Sequence, residues 1–252
     1  MVELTVLGNY GAYALPNGAC SGYLLNVNGY HIMLDCGNGS FSKLLKYTDA
    51  ASLNMVILTH LHHDHYSDIY CLRQAVKHQM KEGLRTEPVI LYVPEGPSHI
   101  VEEISKWDDV FILVSLEEAK TIVNDFQAFQ LAFFSVQHSV PTYGVQLYVN
   151  GEKLLTYTSD TGWYPALESS CHNSRYLLAE ASLKEHEQEE RGNVHMTAKQ
   201  AAILAQNSDV SNLILTHFFP TYNQNQQKRE AEAHYEGKLH MSASGKTYTL
   251  QQ

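Results

Sequence analysis

The feature that most constrains this chain is a run of six residues, His60-Leu61-His62-His63-Asp64-His65, five of which carry side chains able to hold a metal ion. The run follows a short, wholly apolar stretch, Met55 to Leu58, and then Thr59. A stretch of that kind reads as a buried strand that delivers the cluster at its C-terminal end. His60 and His62 are two apart and can point the same way as the chain leaves the strand. Asp64 and His65 then fall on the following turn, where they can face a second ion. Imidazoles suit zinc, iron and similar borderline metals, and a carboxylate can bridge two cations. A lone histidine is usually a surface or packed residue. Three of them with Asp64, between a strand and a helix, are not explained that way. His63 lies between the ligands and is expected to support the turn.

The rest of the composition bounds the class. The 252 residues are 44% hydrophobic, enough for a sizeable core, and no linker or repeat divides them, so the sequence reads as one domain over 1–252. No apolar run is long enough to span a bilayer. Met1 to Gly8 reads as a first strand and not as an export signal, which predicts a cytoplasmic protein. The four cysteines, Cys20, Cys36, Cys71 and Cys171, lack metal-site spacing and are expected to be reduced and buried. The formal net charge of -10 argues against a large nucleic-acid footprint, because such binding rests on neutralising phosphates.

Along the chain, Glu3–Leu7, Gly22–Val27 and His31–Asp35 read as a small meander with a hairpin turn at Asn28-Gly29. A helix is predicted from Ser67-Asp68 to Lys81, then strands at Pro88–Val93 and Phe111–Val114 around a helical segment, Pro97–Trp107. Phe126–Gln137 is read as one strand ending at His138. Val145–Val149 and Lys153–Thr158 flank a second hairpin signal, Asn150-Gly151, and lead to Asp160. Short apolar strands follow at Tyr176–Ala179 and Leu213–Leu215. Between them Thr197-Ala198-Lys199-Gln200 fits a capping box opening a helix. His138, Asp160, His195 and His217 thus all fall at strand ends or turns. Two strand-rich, helix-flanked halves predict an α/β protein and suggest a four-layer αβ/βα sandwich, which periodicity alone does not separate from another α/β fold.

At this point Thr59-His60-x-His62-x-Asp64-His65 resembles the signature of the metallo-β-lactamase superfamily, with the other sites in that family's order. Leu34-Asp35-Cys36-Gly37 is similar to its early aspartate turn, Ser159-Asp160-Thr161-Gly162 to its bridging-aspartate motif, and Leu215-Thr216-His217 to its last-ligand motif. Ala179-Glu180-Ala181 with Gly192-Asn193-Val194-His195-Met196-Thr197 resembles the ribonuclease Z-like branch, and within it the small phosphodiesterase-like hydrolases.

The resemblance implies two divalent ions, zinc first, with manganese or iron as alternatives. His60, His62 and His138 would hold one, Asp64, His65 and His217 the other, and Asp160 would bridge. Asp35 would orient a ligand imidazole, Asp64 would help to orient the attacking hydroxide shared by the ions, and Glu180 would hold His195 as the group that serves the leaving oxygen. The implied activity is hydrolysis of a small phosphodiester or nucleotide-like substrate. A thioester or lactone hydrolase on the same centre is the alternative, and a metal-binding protein without turnover a third.

The pattern also departs from the tRNA-processing enzymes. Only 22 positions separate His138 from Asp160, leaving no room for a tRNA-gripping arm, and His217-Phe218-Phe219-Pro220 lacks their usual continuation. The partner expected is therefore a small molecule, not tRNA or a membrane; a homodimer is compatible with the sequence. Phe218, Phe219, Tyr143, Trp163 and Tyr164 are candidates for lining a pocket for a flat group, with packing in the core or at its rim as the equal alternative.

Overall fold

The structure, a computed structural model, describes residues 1–187 and 192–251. These form two compact units: Met1–Glu118 with Ala243–Leu250, and Ala119–Ser242 with the residues after Leu250.

The first unit runs β1 (Val2–Gly8), β2 (Gly22–Val27), β3 (Tyr30–Leu34), α1 (Ser40–Leu44), β4 (Leu53–Ile57), α2 (His63–Tyr66), α3 (Ile69–Lys81), β5 (Val89–Val93), α4 (Ser98–Ile104) and β6 (Phe111–Ser115). Asn28 and Gly29 both take positive φ, 52° and 91°, which matches the twist of a two-residue hairpin and fixes the β2–β3 register. From β3 to β6 the pairing is parallel. Strands in such a region are covered on both faces, which is why β4 and β5 read as apolar runs and not as alternations. Helix α3 buries Ile69, Leu72 and Val76, one stripe at helical spacing, in a core shared with Met33, Val56, Leu58 and Leu91.

After α5 (Leu116–Ala119), the second unit runs β7 (Asn124–Asp125), β8 (Gln130–Ser135), β9 (Tyr143–Val149), β10 (Glu152–Tyr157), α6 (Pro165–Cys171), β11 (Tyr176–Glu180), α7 (Ala198–Asn207), β12 (Asn212–Thr216), α8 (Gln224–Glu232) and β13 (Lys238–Met241). Strands β7 to β10 pair antiparallel, with Asn150 (φ 52°) and Gly151 (φ 81°) at the β9–β10 turn; β10 to β13 pair parallel. The capping box at Thr197 is present, its hydroxyl taking the Gln200 N–H and the Gln200 side chain taking the Thr197 N–H. Finally β14 (Thr247–Leu250) pairs antiparallel with β1, Leu250 opposite Val2, so the first sheet has the order β14-β1-β2-β3-β4-β5-β6. The second is β13-β12-β11-β10-β9-β8-β7. In each unit the parallel strands send their C-terminal ends to one edge, the usual place for a site in such sheets.

One predicted strand is corrected. Phe126–Gln137 is not continuous: Gln127 has φ 65°, its N–H is taken by the Asp125 carboxylate, and Phe126 N–H turns back to Phe129 O, so β8 begins only at Gln130. The aspartate offers the backbone a local acceptor and so favours a turn, and the two phenylalanine rings, 5.0 Å apart, stack across it. Helices α1, α2, α5, α6 and α8 were not anticipated.

The cysteines are all free, but only three are buried; Cys71 is exposed on α3. Burial pushes the thiols of Cys20 and Cys171 up to about 12 and raises that of Cys36. At neutral pH Cys20 and Cys171 hold roughly a thousandfold less thiolate than an ordinary thiol. A chromogenic disulfide reagent should therefore titrate one thiol per native chain and four after denaturation; more than one fast native thiol contradicts this burial. Among the described residues no helix is long and apolar enough to cross a membrane.

Candidate metal centre

In the first unit the candidate ligands hang from the ends of β3 and β4 and from α2. The rings of His60 and His62 lie 4.9 Å apart, edge to face, and those of His60 and His65 lie 4.0 Å apart. Asp35, just past β3, is fully buried and takes φ 55°, a conformation that costs a non-glycine residue energy and is found at functional turns. Its carboxylate accepts from Thr59 N–H at 2.8 Å and Thr59 Oγ1 at 2.9 Å, and lies 2.9 Å from His65 Nδ1. A carboxylate there calls for a proton on Nδ1 and leaves the Nε2 lone pair outward, as a ligand requires. Asp64 Oδ2 accepts from Ala12 N–H at 2.7 Å. Gly37 explains its own identity: a Cβ there would meet Asp64 O at 1.9 Å, so only glycine lets the aspartate turn approach. His63 is exposed and rests near Tyr66.

In the second unit His138, Asp160, Glu180, His195 and His217 come together. His138 Nδ1 donates to Val194 O at 2.8 Å, and burial holds its imidazole below the ordinary pKa despite the nearby Asp160 carboxylate. The neutral ring so favoured again offers Nε2. Asp160 is buried, with Oδ2 at 3.3 Å from His217 Nε2 and 4.0 Å from His195 Nδ1. Ser159 and His217 both have φ 55°, the value seen at Asp35. Glu180, fully buried at the end of β11, accepts Thr161 N–H at 2.7 Å and His195 Nδ1–H at 2.9 Å on Oε1. The His195 ring sits 5.0 Å from His138 and 5.8 Å from His217. Asp160, His195 and His217 are close enough to share one ion, each offering an atom within 4.8 Å of the others. The Nδ1 of His195 nearest Asp160 is nonetheless committed to Glu180, which favours an oriented imidazole over a third ligand. Gly162 passes so near Asn193 O that a Cβ would stand 2.1 Å from it, and this contact seats the segment bearing His195.

The donor chemistry fits divalent ions. His65, His138 and His217 each have Nδ1 tied to a polar partner and Nε2 left as donor, beside two buried carboxylates.

A family model described as "Beta-lactamase superfamily domain" matches residues 30–218, across both units. The chain belongs to that superfamily. A probable metallo-hydrolase of Bacillus subtilis, YhfI, is 26% identical over 97% of this chain and 98% of its own length. The crystal structure of YhfI, a metallo-β-lactamase-fold protein, matches with a TM-score of 0.90 over 98% of both chains at 25% identity. A ribonuclease Z of Clostridium beijerinckii is 24% identical over 89% of this chain and 90% of its own. In fold alone, a diphosphatase of the PhnP family superposes at a TM-score of 0.79 and 14% identity, covering all of this chain and 98% of the other. The α/β fold expected from the superfamily signature is thus the fold of this chain, and the superfamily member is a metal-dependent hydrolase.

Sequence reasoning missed Ser182, Thr59, Thr161 and the Ala12 N–H, all partners of candidate ligands or of the carboxylates that hold them. Ser182 and Thr59 stand within two residues of Glu180 and His60, so their spacing was visible; the Ala12 contact joins positions 52 apart and left no local signal. The aromatic pocket needs correction: Phe218 and Tyr143 are sealed in the core and cannot face a ligand. Phe219 packs at 4.8 Å from Tyr222, and Trp163 and Tyr164 lean on the second unit's core.

Proposed function

We propose that this superfamily member is a phosphodiesterase that uses two divalent ions, zinc first, to cleave a small phosphodiester or nucleotide-like substrate. His60, His62 and His138 would hold one ion, Asp64, His65 and His217 the other, and Asp160 would be shared by both. Residues 1–252 act as one hydrolase domain, in the cytoplasm, on a small molecule and not on tRNA. When bound, the two ions supply Lewis acidity toward phosphoryl oxygens and acidify water.

The observation that carries the phosphodiester reading is the 2.9 Å contact of His195 Nδ1 with the fully buried carboxylate of Glu180. That carboxylate stabilises a proton on the imidazole, so His195 Nε2 can hold a phosphoryl oxygen or pass its proton to a departing alkoxide. Asp64, whose Oδ2 accepts from Ala12 N–H, would help to orient the attacking water. An acyl substrate with a thiolate leaving group needs no such proton donor.

The test combines elemental analysis with a turnover screen. The purified protein should carry close to two ions per chain, lose activity on chelation, and turn over generic phosphodiesters or cyclic nucleotides in preference to thioesters and lactones. A folded protein that binds no ion defeats the metal assignment, and turnover confined to acyl substrates defeats the phosphodiester one.

A further inference from the structure

Ser182 lies two residues past the end of β11 and is 6% exposed, between Glu180 and His217. Its Oγ stands 2.5 Å from Glu180 Oε2, 2.7 Å from His217 Nδ1 and 3.0 Å from His217 O. A serine hydroxyl has one proton and two lone pairs. The carboxylate oxygen is both the nearest acceptor and the only charged one, and charge-assisted bonds are about twice as strong as neutral ones, so the proton goes chiefly to Glu180, with the His217 carbonyl oxygen at 3.0 Å as its weaker second acceptor. The 2.7 Å contact to His217 then has no serine proton left for it. It is a bond only if His217 carries its proton on Nδ1 and donates to Oγ; otherwise two lone pairs would face each other inside a buried site. His217 Nε2 is left as a lone pair, directed at the side where Asp160 Oδ2 lies 3.3 Å away.

We propose that Ser182 is a positioning residue that reads the charge of Glu180 and imposes the Nδ1–H tautomer on His217. The inference rests on the proposed role of His217 as a metal ligand. His65 is oriented by a carboxylate and His138 by a backbone carbonyl, both acceptor-only groups that settle the tautomer directly. A hydroxyl can donate or accept, so at His217 the direction comes from Glu180, one bond further away. The same carboxylate holds His195 through Oε1 and, through Ser182, His217 through Oε2. Orientation of the acid-donating imidazole and readiness of one metal ligand therefore share a single buried charge.

The experiment is a zinc competition titration against a chromophoric chelator. Relative to wild type, Ser182→Ala should weaken one of the two ions by about 10–100-fold, the usual cost of losing such a partner, and leave the other unchanged. Ser182→Thr, which keeps the hydroxyl, should restore most of the loss. In a His217→Ala background, Ser182→Ala should add nothing, because the partner it acts through is gone. Unchanged affinity in Ser182→Ala, equal weakening of both ions, or a further loss in the His217→Ala background overturns the proposal. If Ser182→Ala does not fold, the native zinc-loaded protein decides: a histidine ¹H–¹⁵N spectrum must show a slowly exchanging Nδ1–H on His217, and its absence is fatal. A wild type that binds no zinc would instead sink the metal-site reading, so the two failures are distinguishable.

Discussion

Replacing Asp160 by alanine should remove both metal ions and lower turnover by several orders of magnitude while leaving the chain folded. The carboxylate is buried, follows the left-handed turn at Ser159, and lies 3.3 Å from a candidate ligand nitrogen of His217. In the proposed centre this carboxylate would be shared by the two cations and would offset part of their mutual repulsion. Without it each ion loses a ligand and the repulsion is unscreened, so both sites weaken together. The fold should survive, because the same turn is held by contacts that Asp160 does not make: Thr158 N–H to Leu178 O, Thr161 N–H to Glu180, and Gly162 N–H to Gln137 O. Metal content per chain and circular dichroism measured on one preparation check this. Full activity, or loss of only one ion, would show that the bridging ligand lies elsewhere.

Replacing His195 by alanine should instead leave both ions bound and reduce turnover selectively. A positioned acid or base contributes about 10²–10⁴-fold, and that loss should appear for a phosphodiester whose leaving alkoxide has a high pKa. A nitrophenyl ester, whose leaving group departs without a proton, should suffer far less. Glu180→Gln should reproduce part of the defect, since a neutral amide no longer favours a proton on the imidazole. Loss of an ion from the His195→Ala protein would make His195 a ligand. Equal indifference of phosphodiester and thioester turnover would leave it a structural histidine and favour the acyl-hydrolase alternative.

Much of this was legible in the chain because the informative signals are local. The Asn28-Gly29 and Asn150-Gly151 turns specify their hairpins through positive φ at adjacent residues, and the Thr197–Gln200 box writes a helix start into four positions. The histidine cluster is legible for the same reason, since β4 and α2 place four candidate ligands within six residues. What escaped depended on distance or on competition. The turn at Asp125–Phe129 defeated a stretch rich in strand-forming aromatics because one aspartate oxygen captured the backbone of Gln127. Phe218 and Tyr143 looked like pocket residues, but whether an aromatic ring faces a ligand or the core depends on the opposite layer, which no local pattern encodes.

The pairing of Val2 with Leu250 bears on the order in which this molecule can assemble. A chain made from its N-terminus produces every strand of the first sheet except β14 before any of the second unit exists. The outer edge of β1 therefore waits, with its backbone donors and acceptors unsatisfied, while some 120 residues are added, and a waiting edge invites pairing with other chains. The second unit draws all its strands from one contiguous segment and can close as soon as that segment is free. The N-terminal sheet is thus completed only by the last strand of the chain described, and changes at that strand act on the edge of the N-terminal sheet.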